Sequence, residues 1–326
     1  MNSNLPERYK RLNNSFKKKI VFHLGVEAGF FSEYNNMILA MLYCLENNIA
    51  FSLYSADANF GYKDGWSDYF LSFCEDKDNI NMPFFHDTAC SFHKKYNVRN
   101  HLINPVNFNK KELFKIWWYK HWNNVDYLTQ DLWRNFHNRK MEKLKYQIPE
   151  LDINGDILDA TKRLISITWR YNQETGIAID KLKQNLNLPA EYIGFHIRRG
   201  DKKAESSYYS SSQYIEKAVS LNLDVKNIFV STDDYSIIRE MKSLLPGSYI
   251  YTLCSENDSG YKHSEFHKQS KDDIKDAFFN LFASIDILSQ SNRFIGTFSS
   301  NIGMFLGMKM EKGSSIGIDF DRWRIW

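Results

Sequence analysis

Apolar residues along this chain recur in two periods. IVFHL (20–24) is a short apolar run with one polar interruption, the pattern of a strand buried on both faces. From Ser32 to Asn47, Tyr34, Ile38, Met41, Leu42 and Leu45 fall at helical spacing and predict a helix with one core-facing stripe. IAFSLYS (49–55) returns to the strand pattern, so the segment has the order of a βαβ unit. The alternation is cleaner after residue 190. Strands are predicted at EYIGFHI (191–197), NIFVSTDD (227–234), SYIYTL (248–253) and RFIGTFSS (293–300). Helices are predicted at 210–221, 235–245, 272–291 and 301–310. Elements of these lengths in this order predict an α/β fold with parallel sheets covered by helices on both faces. Residues 60–150 are dense in aromatic and polar groups. Their most distinctive segment, LFKIWWYKHW (113–122), reads as helix core, with sugar stacking on its tryptophans as the alternative.

Length and composition narrow the class. A chain of 326 residues exceeds what one hydrophobic core usually organises, so two domains are expected, 1–175 and 176–326, the first with an aromatic-rich helical insertion. Hydrophobic residues at 43% and aromatics at 16% are those of a globular protein, and the mean hydropathy of −0.50 agrees. The net charge of +3 is too small for a nucleic-acid partner, which needs a dense cationic field. Four scattered cysteines offer neither a disulfide framework nor a zinc knuckle. The longest apolar stretch, 37–45, is far short of the roughly 20 residues that span a bilayer. The start MNSNLPERYK lacks a signal-peptide core, so a cytoplasmic location is expected. Lys17, Lys18 and Lys19 read as a solvated face. With Arg8, Lys10 and Arg11 they also offer peripheral contact to anionic lipids at the inner face of the membrane.

Chemistry-bearing residues gather at strand ends. In a parallel sheet the ligand lies beyond the carboxyl ends of the strands. Three polar clusters follow predicted strands: His196 to Asp201, Asp233 with Asp234, and Thr297 to Ser300. Adjacent Arg198 and Arg199 suit an anion, because guanidinium forks bind phosphate through two donors and stay charged. Asp201 is placed to hold one of them. A surface Arg–Asp pair alone would mean little, but a buried strand before it and two further clusters favour a ligand. Gly25 and Gly29 in GVEAGFFS form no GxGxxG and are a weak phosphate-loop signal. Asp319 and Asp321 spell a DxD near the C-terminus that reads as a turn or strand end. The nine histidines show no metal-ligand spacing, so no metal and no cofactor is expected.

HIRRGDK (196–202) resembles the HxRRxDK motif of the α1,6-fucosyltransferases, and VSTDD and LSQSNRFIGTFSSNIG resemble that family's second and third motifs. GVEAGFFSEYNN is similar, more loosely, to its Gly-rich first turn. The motifs occur in family order over roughly residues 190–310. The resemblance implies two facing Rossmann-like domains of the GT-B type, the first on the acceptor side and the second binding the nucleotide sugar. It implies an inverting transfer from GDP-fucose without a metal, to a glycan or lipid-linked oligosaccharide.

Carried over by residue, Arg198 would hold the β-phosphate, beside Arg199, and His196 would lie against the nucleotide. Ser300 would bind phosphate oxygens with Thr297 and Ser299 close by, and Asp233 and Asp234 would shape the donor pocket. Gly29 would belong to the first turn. Glu205 matches the family's catalytic glutamate at one residue less than the family spacing from Lys202. Glu205, or failing it Asp201, is the candidate general base, with Lys202 near enough to tune it. The family's nucleotide-contacting aspartate falls on Ser284, with Asp286 and Asp273 as substitutes. Two other readings stay open: a catalytically silent nucleotide-sugar-binding protein, and an α1,2-fucosyltransferase-like enzyme sharing HxRRxD.

Overall fold

The computed structural model describes residues 4–25, 28–77, 110–200, 208–260 and 269–325. The chain divides into two units between Arg170 and Tyr171. That division lies a few residues before the expected 175 for a packing reason. Tyr171 lies against the Phe282 ring and Glu174 pairs with Lys275, so the first turn of the following helix is tied to the second unit.

The first unit opens with α1 (Leu5–Asn14), started by Asn4, whose side chain accepts the Glu7 N–H, and by Pro6 in the first turn. Strand β1 (Lys18–His23) begins with two exposed lysines and then buries four residues. Helix α2 (Phe30–Glu46) carries the chain to β2 (Ile49–Tyr54). Fourteen of its seventeen residues are buried, so it is packed on nearly all sides rather than along one stripe. Two short strands, β3 (Glu75–Asp76) and β4 (Tyr127–Leu128), complete a parallel sheet in the order β3-β2-β1-β4. Between them lies α3 (Lys110–Trp122), and α4 (Thr129–Phe136) follows directly on β4. A hairpin, β5 (Tyr146–Ile148) with β6 (Ile153–Gly155), leads to α5 (Ile157–Thr168).

The tryptophan run departs from the helix-core expectation. Tyr119 and the half-buried Ile116 face Val21, Tyr54, Val125 and Leu128. Trp117, Trp118 and Trp122 are exposed by 56%, 49% and 74%. Residues three apart share one helix face, so burying 116 and 119 turns the tryptophans outward. Trp118 stacks on Trp122 and Trp117 on His121. The basic start of the chain is partly committed as well. Arg8 forms a two-pronged pair with Asp152 and donates to the Glu150 carbonyl, so it is an internal anchor of α1.

The second unit begins with α6 (Gln173–Asn185), followed by β7 (Ile193–Ile197), α7 (Ser211–Ser220), β8 (Asn227–Thr232), α8 (Ser236–Leu244) and β9 (Tyr249–Tyr251). Helix α9 (Lys271–Gln290), β10 (Arg293–Gly296), α10 (Asn301–Lys309) and β11 (Ser315–Gly317) complete it. All five strands are parallel, in the order β11-β10-β7-β8-β9. The chain builds outward from β7 through β8 to β9 and then returns to the other side of β7. The strand order therefore reverses between β7 and β10, where an open parallel sheet leaves a crevice for a ligand. All of β7 is buried, as a central strand under helices on both faces should be.

The predicted helices and strands of this half are all present. Several strands are shorter than predicted. β7 starts at Ile193, β8 ends at Thr232 and β9 spans Tyr249–Tyr251. β10 ends at Gly296 rather than Ser300, because the Phe298 and Ser299 amides turn away from the ladder to a side chain described below. Three-residue β11 has no counterpart among the sequence expectations, being too short to show a period. Among the described residues no helix is long and apolar enough to cross a membrane.

Candidate active site at the carboxyl edge of the second sheet

The ladder between β7 and β8 pairs Ile197 with Thr232, so the next residues, Arg198 and Asp233, leave the sheet side by side. The Asp233 carboxylate accepts the Arg199 N–H at 2.7 Å and the Gly200 N–H at 3.0 Å, one on each oxygen. Hydrogen bonds from amides to a carboxylate are roughly twice as strong as neutral ones. This pair folds the HIRRG segment back over the end of β8. The Arg198 Nε lies 3.9 Å from Asp233 Oδ2, and the Arg198 side chain is 30% exposed, so its charge reaches the solvent side of the edge.

Arg199 is held differently. Its Nη1 donates to the Tyr209 carbonyl at 3.0 Å, its guanidinium lies 4.9 Å from the Tyr208 ring centroid, and the Tyr208 hydroxyl donates to its carbonyl. His196 is 5% exposed, and its carbonyl accepts the Tyr214 hydroxyl at 2.9 Å. Asp234 serves the turn into α8: its Oδ1 accepts the Ser236 N–H at 2.8 Å. Near these acids, burial and the neighbouring Asp258 push the Cys254 thiol up to about 12, so it stays protonated.

The second cluster follows β10, the other strand at the reversal. Ser300 caps α10, its Oγ accepting the Gly303 N–H at 3.0 Å and donating to the Thr297 carbonyl at 2.8 Å. Gly303 is required here, since a Cβ would lie 1.9 Å from the Thr297 carbonyl oxygen. The Asp319 carboxylate accepts the Phe298 and Ser299 N–H groups, both at 2.8 Å. Those two amides are the ones that leave the β10 ladder. Asp319 thus follows the turn reading of DFD. What the sequence did not indicate is that it holds the Thr297–Ser300 turn, a contact made across twenty residues of chain.

Arg198, Arg199, Asp233, Thr297, Ser299 and Ser300 therefore lie at one edge of one sheet, on adjoining strands. Ser284 lies on the helix that precedes β10. It is buried in the body of α9, about 9 Å along the axis from the Gln290 end that leads into the start of β10. Its two substitutes are engaged elsewhere: Asp273 completes the capping box with Ser270, and Asp286 lies 3.9 Å from Lys309. Asp201, Lys202 and Glu205 lie outside the described residues.

Gly29 belongs to the first unit, where it precedes α2. The phosphate-loop reading of that turn meets a physical obstacle. The buried Glu33 carboxylate accepts the Gly25 and Ala28 N–H groups and fills the anion position at the start of α2. The carboxyl edge of this sheet holds another polar pair that the sequence did not signal. His23, 2% exposed, lies with Nε2 2.8 Å from Asp57 Oδ1, and its own N–H donates to the Thr129 hydroxyl.

The chain is similar to known proteins. Solved structures similar to the chain include NodZ alpha-1,6-fucosyltransferase soaked with GDP-fucose (11% identity, 90% of this chain and 93% of that one, TM-score 0.47). Others are POFUT1 in complex with GDP (14%, 90% and 94%, 0.43) and a mutant of Arabidopsis thaliana FUT1 in complex with GDP (13%, 95% and 75%, 0.46). Residues 160–306, which run from α5 to α10 and contain both clusters, match the family model for the N- and catalytic domains of alpha-(1,6)-fucosyltransferases. By that match residues 160–306 are similar to the catalytic region of the alpha-(1,6)-fucosyltransferases.

Proposed function

We propose that this protein is an inverting fucosyltransferase that moves L-fucose from GDP-fucose to a hydroxyl of a glycan or lipid-linked oligosaccharide, with an α1,6-type linkage. The observation that carries the reading is the pair Arg198 and Arg199 at the strand-order reversal, beside the capped start of α10. A diphosphate leaving group gains negative charge as the anomeric C–O bond breaks, and charge fixed in advance where it develops lowers that barrier. Arg198 supplies it at the β-phosphate. The start of α10 faces the same anion, held in place by Ser300, whose hydroxyl caps it. These guanidiniums take the part a divalent cation plays elsewhere, because they remain charged at any working pH.

In the proposed step the acceptor oxygen forms a bond to the anomeric carbon as the bond to GDP breaks. Its proton passes to a carboxylate, Glu205 or in its place Asp201, with Lys202 nearby. The first unit is the acceptor-side unit in this reading. His196 and the segment around Ser284 are proposed to meet the nucleotide.

The test combines binding with turnover. GDP and GDP-fucose should raise the melting temperature by mass action, and UDP and ADP should not. With an acceptor panel the protein should release GDP, and EDTA should leave the rate unchanged. Binding without GDP release would identify a silent binding protein. Loss of activity in EDTA restored by Mn²⁺ would refute the metal-independent step. Linkage analysis of the product separates α1,6 from α1,2.

A further inference from the structure

We propose that Asp319 is a positioning residue for the donor phosphates, acting through the Thr297–Ser300 turn. The inference rests on the donor reading above and adds a residue outside the segment that matches the family model.

Asp233 and Asp319 do the same thing on the two strands that flank the reversal. Each follows the strand outside its neighbour, β8 beside β7 and β11 beside β10, and each takes two consecutive backbone N–H groups on its two oxygens. Asp233 thereby fixes the loop that carries Arg198. Asp319 fixes the turn that carries Ser300 and begins α10. Its own backbone is anchored on both sides. The Ile318 N–H donates to the Gly296 carbonyl at 2.8 Å, and Trp323 Nε1 donates to the Met304 carbonyl at 2.8 Å. The carboxylate is therefore delivered by a strap tied to β10 before it and to α10 after it. A turn held by two charge-assisted hydrogen bonds keeps the start of α10 in one orientation, and misplacing ligand-binding groups by 1 Å can cost about a hundredfold.

The charge of Asp319 gives the test its sign. A carboxylate close to a bound diphosphate repels it, so if Asp319 were a bystander its removal would leave GDP binding unchanged or tighten it. If it positions the turn, removal weakens binding despite relieving the repulsion.

Calorimetric titration with GDP of Asp319→Ala, Asp319→Asn and the exposed control Asp321→Asn, below the melting temperature of each, separates the two. Asp319→Ala should weaken GDP binding about tenfold or more. Asp319→Asn should fall between it and the wild type, since its single carbonyl oxygen accepts only one of the two amides. Asp321→Asn should match the wild type. GDP affinity in folded Asp319→Ala that equals or exceeds the wild-type value overturns the proposal. Global unfolding of both Asp319 variants overturns it too, making the residue part of the framework. Failure of the wild-type protein itself to bind GDP would instead remove the donor reading, and this one with it.

Discussion

Arg198→Ala separates a phosphate clamp from a structural ion pair, because the two roles predict effects of different size on different observables. The structural contribution follows from the geometry. Arg198 Nε stands 3.9 Å from Asp233 Oδ2, with the side chains 30% and 19% exposed. A pair at the limit of contact and open to solvent contributes about 0–1 kcal/mol. In a unit of this size that is a fall in melting temperature of at most about 4 °C. The loop should keep its shape, since Asp233 holds it through the Arg199 and Gly200 amides and not through the Arg198 side chain. The catalytic contribution is larger. Removing one fixed donor aimed at developing charge costs about 2.7–4 kcal/mol, or two to three decades in kcat. Arg198→Lys should recover little, because a point charge does not reproduce a planar two-donor fork. Melting temperature and kcat for GDP release are measured on the same preparation. Near-normal kcat in Arg198→Ala refutes the clamp, as does a fall of more than about 10 °C with turnover per folded molecule intact.

Asp233→Asn leaves one of two amides without its acceptor, costing about 1–3 kcal/mol; thermal denaturation should show it, together with a raised KM for GDP-fucose from the displaced Arg198. Gly303→Ala drives a Cβ against the Thr297 carbonyl oxygen, 1.9 Å away and part of the backbone, so it should lower stability by about 1–3 kcal/mol and weaken GDP binding. A denaturant midpoint equal to the wild type would show that the turn opens freely. Burial lowers the pKa of His137, whose Nδ1 lies 2.8 Å from Asn36 Oδ1, so the folded state favours the neutral ring. Its contribution is complete above the unfolded value of 6.5 and declines as the pH falls through it. His137→Gln should therefore lose less stability than the wild type between about pH 8 and about pH 5, and equal losses would remove His137 as the cause.

Local pattern alone determined much of the second unit. Its strands and helices follow from periods of two and of three to four residues, because a side chain's direction is set by its own backbone. The polar residues just beyond β7, β8 and β10 were legible for the same reason: where an apolar run stops, the strand stops. Only the tertiary structure decided what those residues do. Asp233 and Asp234 are adjacent in the chain, yet one folds the arginine loop and the other turns the chain into α8. Asp273 and Asp286 were equal candidates until a cap claimed one and Lys309 the other. Glu33 occupies the turn that resembled a phosphate loop, and the tryptophans of α3 face outward because the opposite face packs on the sheet. Asp319 reaches Phe298 and Ser299 only because β11 pairs with β10. Element identity is a local property, whereas the partner of a carboxylate depends on which distant segment the packing brings within about 3 Å of it, and no period along the chain encodes that distance.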